Sequence, residues 1–258
     1  MRNIIKRLAK PVAVCSALLL MMFASCKQDE YYVDGGQSNP TFNGNMLQYL
    51  QSNPKFDTLA QIVKLAGMED VFQNETITFF APTDEVIRRT IGTLPTGGLN
   101  EALFAMGKDT VKVLSDIDAG IWKKYLSRYI FKGKFKLNDY PQLDFLLKPI
   151  YPGAFYRTYS NDLANIGVVY NSVNGVRYIG YRQLSISFIP DQSDPDSYIP
   201  AAVASSDIQP SNGVLHALAI AIPSGTSPIS NIGDVIVSIN SNYFGFNFEF
   251  MNEVLLSK

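Results

Sequence analysis

The sequence predicts an α+β domain in which helices pack on a sheet, and three stretches carry that prediction. Apolar residues recur at a helical period from Asn45 to Gly67. Thr76 to Ile87 changes from strand to helix in its middle, at Pro82. Phe155 to Ile189 alternates apolar and polar residues between tight-turn signals. The 258 residues suffice for one sizeable domain or two small ones, and 47% hydrophobic against 17% charged residues means that most of the chain should fold.

The chain opens on Arg2, Lys6, Arg7 and Lys10, then an apolar run from Pro11 to Phe23, then Ala24-Ser25-Cys26. Basic, apolar and small residues in that order predict a secretory signal peptide over residues 1–25, and the apolar run is short for a membrane span. Phe23-Ala24-Ser25-Cys26 resembles the bacterial lipobox, which implies that Cys26 is acylated and becomes the first mature residue. The alternative is an ordinary signal cut nearby, leaving Cys26 as an unpaired thiol. Cys15, the other cysteine, would be lost with the signal, so no disulfide is expected and stability must come from the core. Losing four basic residues leaves 18 against 23 acidic ones, a mildly acidic chain without the electrostatic footprint of a nucleic-acid binder. Residues 26–42 are polar and Gly-containing and are expected to be a flexible tether. Lys27-Gln28-Asp29-Glu30 resembles the acidic export tags of some outer-membrane lipoproteins, or is merely a soluble linker. The expected location is the outer membrane, lipid-anchored, facing the periplasm or the cell surface.

Residues 43–223 are expected to form the domain. Met46, Leu47 and Leu50 belong to one helix; Phe56, Leu59, Ile62 and Val63 belong to a second, separated from it by Asn53-Pro54 and ended by Gly67. Ile77 to Ala81 is a short run of β-branched and aromatic residues, hence a buried strand that Pro82 terminates. Thr83 or Asp84 can then cap the helix that carries Val86 and Ile87. Leu103 to Ile117 suggests one or two more short helices. Turns are expected at Asn161-Asp162 and Asn174-Gly175, the second a tight-hairpin signal. Ile199 to Val203 and Asp207-Ile208 lead into the Asn212-Gly213 turn and a strand from Val214.

Thr78-Phe79-Phe80-Ala81-Pro82-Thr83-Asp84 resembles the first signature of the fasciclin (FAS1) family, and Asn212-Gly213-Val214-Leu215-His216 resembles the second. The resemblance implies a twisted antiparallel β-sandwich or wedge with several helices packed on it. It also implies a binding or adhesion module rather than an enzyme. Gly133 and Phe135 fit a further family pattern, but Tyr129 stands where relatives carry the His of a Tyr-His pair, so an integrin-like contact is not carried over.

Residues 224–258 lie beyond the pattern. Phe244, Phe246, Phe248 and Phe250 alternate with other residues, which would place four rings on one face of an extended strand. That strand either docks on its own domain or offers a platform to a partner or to sugar rings.

Chemistry is sparse. With His216 as the sole His, multi-His metal sites are excluded, and no Gly-x-Ser-x-Gly elbow or phosphate-cradling loop is present. His216 lies in an apolar, strand-like run, which suits a packed His better than a triad member. Asp191, Asp194 and Asp196 share a loop, but Pro195 interrupts them and no later Glu completes a calcium site. No catalytic residue, metal ligand or cofactor is expected. The expected partners are a membrane, through the lipid, and an envelope or extracellular protein or glycan. The alternatives are an accessory glycan-binding lipoprotein of an outer-membrane nutrient-uptake system and, behind it, a carboxylate-dependent hydrolase.

Overall fold

A computed structural model describes residues 40–93, 97–197, 199–219, 231–232, 235–236 and 245–258. The signal peptide, Cys26 and nearly all of the tether lie outside the described residues.

The two helices expected from the period come first: α1 (Met46–Ser52) and α2 (Asp57–Leu65). Asn45 caps α1 by accepting from Gln48 N, while the Gln48 side chain accepts from Asn45 N, a reciprocal capping box. Gly67, at φ +62°, ends α2: its N–H reaches Lys64 O and the N–H of Met68 reaches Val63 O, a closure that needs a left-handed residue. α3 (Glu69–Asn74) leads into β1 (Ile77–Ala81), which is buried along its whole length. On one face Phe79 meets Phe72 edge-on at 4.9 Å; on the other Phe80 lies 4.9 Å from the His216 ring. Pro82 follows, and α4 (Asp84–Ile91) begins. α5 (Leu99–Ala105) and α6 (Ala119–Leu126) complete the helices before the remaining strands.

Those strands are β2 (Ile130–Lys132), β3 (Ala154–Arg157), β4 (Leu163–Tyr170), β5 (Arg182–Phe188), β6 (Ile199–Ile208) and β7 (Gly213–Leu218). They form one seven-stranded sheet with β1, in the order β2-β1-β7-β6-β5-β4-β3. The Asn174-Gly175 hairpin appears as expected: both residues have positive φ, and Val173 and Val176 exchange two backbone hydrogen bonds.

The expected antiparallel sandwich is corrected in two respects. First, β1 and β7 run parallel, Ile77 opposite Gly213 and Ala81 opposite Ala217. The cause is local: the Asn212 carbonyl accepts from Ile77 N, so both strands start at the same end. Second, the sheet is continuous and nearly closes into a barrel. β6 shifts register twice against β7, between Val203 and Ser205 and between Ser205 and Ile208, and such bulges bend a strand. The curl brings Tyr159 N, just beyond β3, to 2.8 Å from Ile130 O in β2 at the opposite edge.

The tail is also corrected. Phe248–Ser257 is a helix, α7, not a strand. Asn247 caps it by accepting from Glu249 N and Phe250 N, and Phe250 and Val254, one turn apart, share its buried face. The helical period of residues 250–255 overrides the alternation of residues 244–250. Seven α-helices are thus present among the described residues.

Candidate functional site

The two signatures meet at one corner, where Thr78, Asp84, Asn212 and His216 bind backbone groups. Asp84 does not cap its own helix. Its carboxylate accepts from Thr58 N at 2.9 Å and Leu59 N at 3.0 Å, capping α2, whose own N-cap position is occupied by Phe56. Asn212 Oδ1 accepts from Met46 N at 2.8 Å, and its Nδ2 donates to Phe72 O and Glu75 O. One amide therefore joins the start of α1 to the end of α3. Thr78 Oγ1 donates to Gly133 O and accepts from Phe135 N, pinning the turn after β2.

His216 is fully buried and has a structural task. The β6 bulge leaves Asp207, at φ +64°, with its N–H pointing to His216 Nδ1 at 3.2 Å. That N–H can only donate, so Nδ1 holds a lone pair and Nε2–H donates to Phe135 O at 2.9 Å. Burial pushes the imidazole pKa down to about 4; the Phe135 carbonyl and the Asp207 carboxylate, 3.9 Å away, oppose the shift.

Beside this corner lies a cleft of about 610 Å³. The α1–α2 loop and the Thr83-Asp84-Glu85 corner form one wall, and β6 with the end of β7 forms the other. Its two carboxylates are already engaged. Asp84 holds the two amides of α2, and the Arg88 and Arg89 side chains donate to Glu85, holding its carboxyl down at about 2. Glu85 is therefore not poised to exchange a proton near neutral pH. Thr83 differs. It occupies the N-cap of α4 but makes no capping bond, and its Oγ1 is buried without a hydrogen-bond partner.

The remaining predicted face is dispersed. Phe246 and Phe250 are 1% and 0% exposed, Phe248 is exposed, and Phe244 lies outside the described residues. Phe246 and Phe250 pack against Trp122 at 5.5 and 5.2 Å, and Phe246 lies 5.3 Å from the Tyr129 ring. The Tyr129 hydroxyl accepts from Gly245 N and Phe246 N. Arg128, almost fully buried, reaches Asp162 and Glu249 and lies over the Tyr125 and Phe188 rings.

The fasciclin domain model matches residues 54–222. The chain belongs to the fasciclin family. Among solved structures, a FAS1 domain pair from the insect cell adhesion molecule fasciclin I is similar at a TM-score of 0.43 and 18% identity, over 68% of this chain and 49% of that one. The chain thus spans about half the length of that structure. No curated relative matches it. Residues 245–258 lie past the matched part of the chain, and the Tyr129 hydroxyl holds their start.

Sequence reasoning missed one surface. The hairpin after β4 exposes Val173, Val176, Ile179 and Tyr181, and the neighbouring loop exposes Leu146 and Ile150. Tyr178 joins the two: its hydroxyl donates to Asp144 Oδ2 at 2.8 Å, and its ring meets Tyr151. Tyr178 keeps a positive φ of 67°, strained for a bulky residue. The available signal was Val173-Asn174-Gly175-Val176, a hairpin tip carrying valines where polar residues are usual.

Proposed function

We propose that this fasciclin domain is a non-catalytic binding module of the cell envelope, anchored to a membrane through acylated Cys26, that recognises an envelope or extracellular protein. The observation that carries the reading is the exposed apolar surface of the 171–181 hairpin and the 144–151 loop, because clustered apolar exposure on a folded domain marks an interface. Thr78, Asn212, His216 and the two cleft carboxylates are consumed by internal hydrogen bonds, which speaks against hydrolysis. The lipobox-like run supports the anchor, and the acidic Asp29-Glu30 favours the outer membrane, with the domain facing the surface or the periplasm. The glycan-platform version loses its motivation, since Phe246 and Phe250 lie in the core.

The test has two arms. Labelled palmitate should enter the wild-type chain and not Cys26→Ser, and protease applied to intact cells should release the domain if it faces outward. Beads bearing the protein should retain envelope protein, and Ile179→Asp with Tyr181→Asp should cut retention about tenfold, about 1.4 kcal/mol. Equal retention by the double variant would overturn the proposed surface.

A further inference from the structure

Asparagine followed by glycine occurs three times in the chain, at Asn43-Gly44, Asn174-Gly175 and Asn212-Gly213. The pairing carries a chemistry of its own, because a glycine without a Cβ leaves its amide nitrogen open to the side chain before it. Whether that chemistry runs depends on how the fold holds each pair.

Two of the pairs are closed to it. The Asn212 side chain is held by Met46 N, Phe72 O and Glu75 O, and Gly213 N donates to Pro210 O. Gly213 is buried, with Ile77 O and the Met46 side chain standing where a Cβ would go. Gly44 N donates to Phe42 O at 3.0 Å, and the Phe42 ring and Gln48 side chain crowd that glycine. Asn174-Gly175 is open. Both residues are exposed, and nothing stands within 4 Å of where a Cβ on Gly175 would sit. Among the described residues, neither the Asn174 side chain nor the Gly175 N–H has a hydrogen-bond partner. Two backbone bonds between Val173 and Val176 close the tip, so it frays at little cost and Asn174 can leave its left-handed conformation.

We propose that Asn174 is a self-modifying site, whose amide is lost through a cyclic imide with Gly175 to leave a carboxylate at the tip of the hairpin. The Gly175 nitrogen attacks Asn174 Cγ, forming the new C–N bond. The Cγ–Nδ2 bond breaks, and Nδ2 leaves as ammonia with the proton from the Gly175 nitrogen. Water then opens the imide at either carbonyl, giving aspartate or isoaspartate; no oxidant or reductant takes part. Asn174 adjoins Val173 and lies one residue from Val176, 43% and 53% exposed in the surface assigned to partner binding. A new negative charge there must be desolvated when that surface is covered, so binding weakens as the protein ages. The modification is independent of the binding assignment; its effect on the partner rests on it.

The test uses the full chain carrying Cys26→Ser, incubated for days at neutral pH and followed by peptide mass spectrometry. Asn174 should convert about tenfold faster than Asn43 or Asn212, the protection conferred by an opening cost of about 1.4 kcal/mol. In urea the three rates should converge, since only the fold separates them. Conversion led by Asn43 or Asn212, or no conversion at Asn174, overturns the site. Asn174→Asp installs the product, and Asn174→Gly keeps the turn while removing the amide. The first should retain about three- to tenfold less envelope protein on beads than the second. Equal retention by these two, with the Ile179→Asp and Tyr181→Asp double variant still impaired, overturns the effect on binding. Equal retention by all three strikes the binding surface itself, and the mass measurement still decides the site.

Discussion

The signature corner and the C-terminal helix both tie distant parts of the chain together, but by opposite means. At the corner, Asp84, Asn212, Thr78 and His216 each place a polar side chain on backbone groups from another segment. At the tail, Phe246, Phe250 and Val254 bury apolar surface against Trp122, Tyr125 and Tyr129, with Arg128 and Glu249 closing one side. Each corner bond is directional, so together they decide which strand starts beside which and in what sense. Aromatic packing is not directional in that way: it supplies more free energy per residue but dictates less topology.

The sharpest way to break the comparison is at the tail. Phe250→Ala removes a fully buried ring and should cost about 3–5 kcal/mol in urea unfolding. A loss below about 1 kcal/mol would mean that the helix is not docked in solution.

Acid should act on the corner instead. The folded His216 pKa, about 4, lies below the unfolded value of about 6.5, so the folded state resists binding that proton. The neutral His contributes its full stability above the unfolded pKa, and this is lost as pH falls from about 6.5 through about 4. The loss is of order 3 kcal/mol. His216→Gln should lower stability at pH 7 and flatten the profile between pH 6.5 and 4, read as denaturation midpoints across that window. A slope unchanged by the substitution would remove His216 as its source.

The smallest effect is expected from the cap. Asp84→Ala should cost about 1–2 kcal/mol by orphaning Thr58 N and Leu59 N, with hydrogen exchange accelerating in the first turn of α2 rather than in α4. Faster exchange in α4 would restore Asp84 to the helix it begins.

How far the fold was legible follows the same division. Ile77 to Ala81 with Pro82, the Asn174-Gly175 turn and Gly67 could be read because each conformation admits few residue types. Membership of the family could be read because several such constraints recur in order. The parallel pairing of β1 and β7 could not, since it depends on where the Asn212 carbonyl and side chain reach across the chain. Asp84 was credited to the wrong helix for the same reason: sequence shows the acid but not which N-terminus stands opposite it. The tail misled through period. Alternating phenylalanines suggested a strand, whereas Asn247 and the spacing of Phe250 and Val254 set a helix. The exposed hairpin was recognised as a turn, but periodicity does not report which valines stay in water.

The near closure of the sheet bears on how copies of this protein tolerate crowding. β2 and β3 are three and four residues long, and Tyr159 reaches across to Ile130, so little open hydrogen-bonding margin is left for a foreign strand to extend. Recognition by strand addition is thereby discouraged on both flanks. Neighbours packed side by side meet one another's side chains instead of polymerising through their backbones.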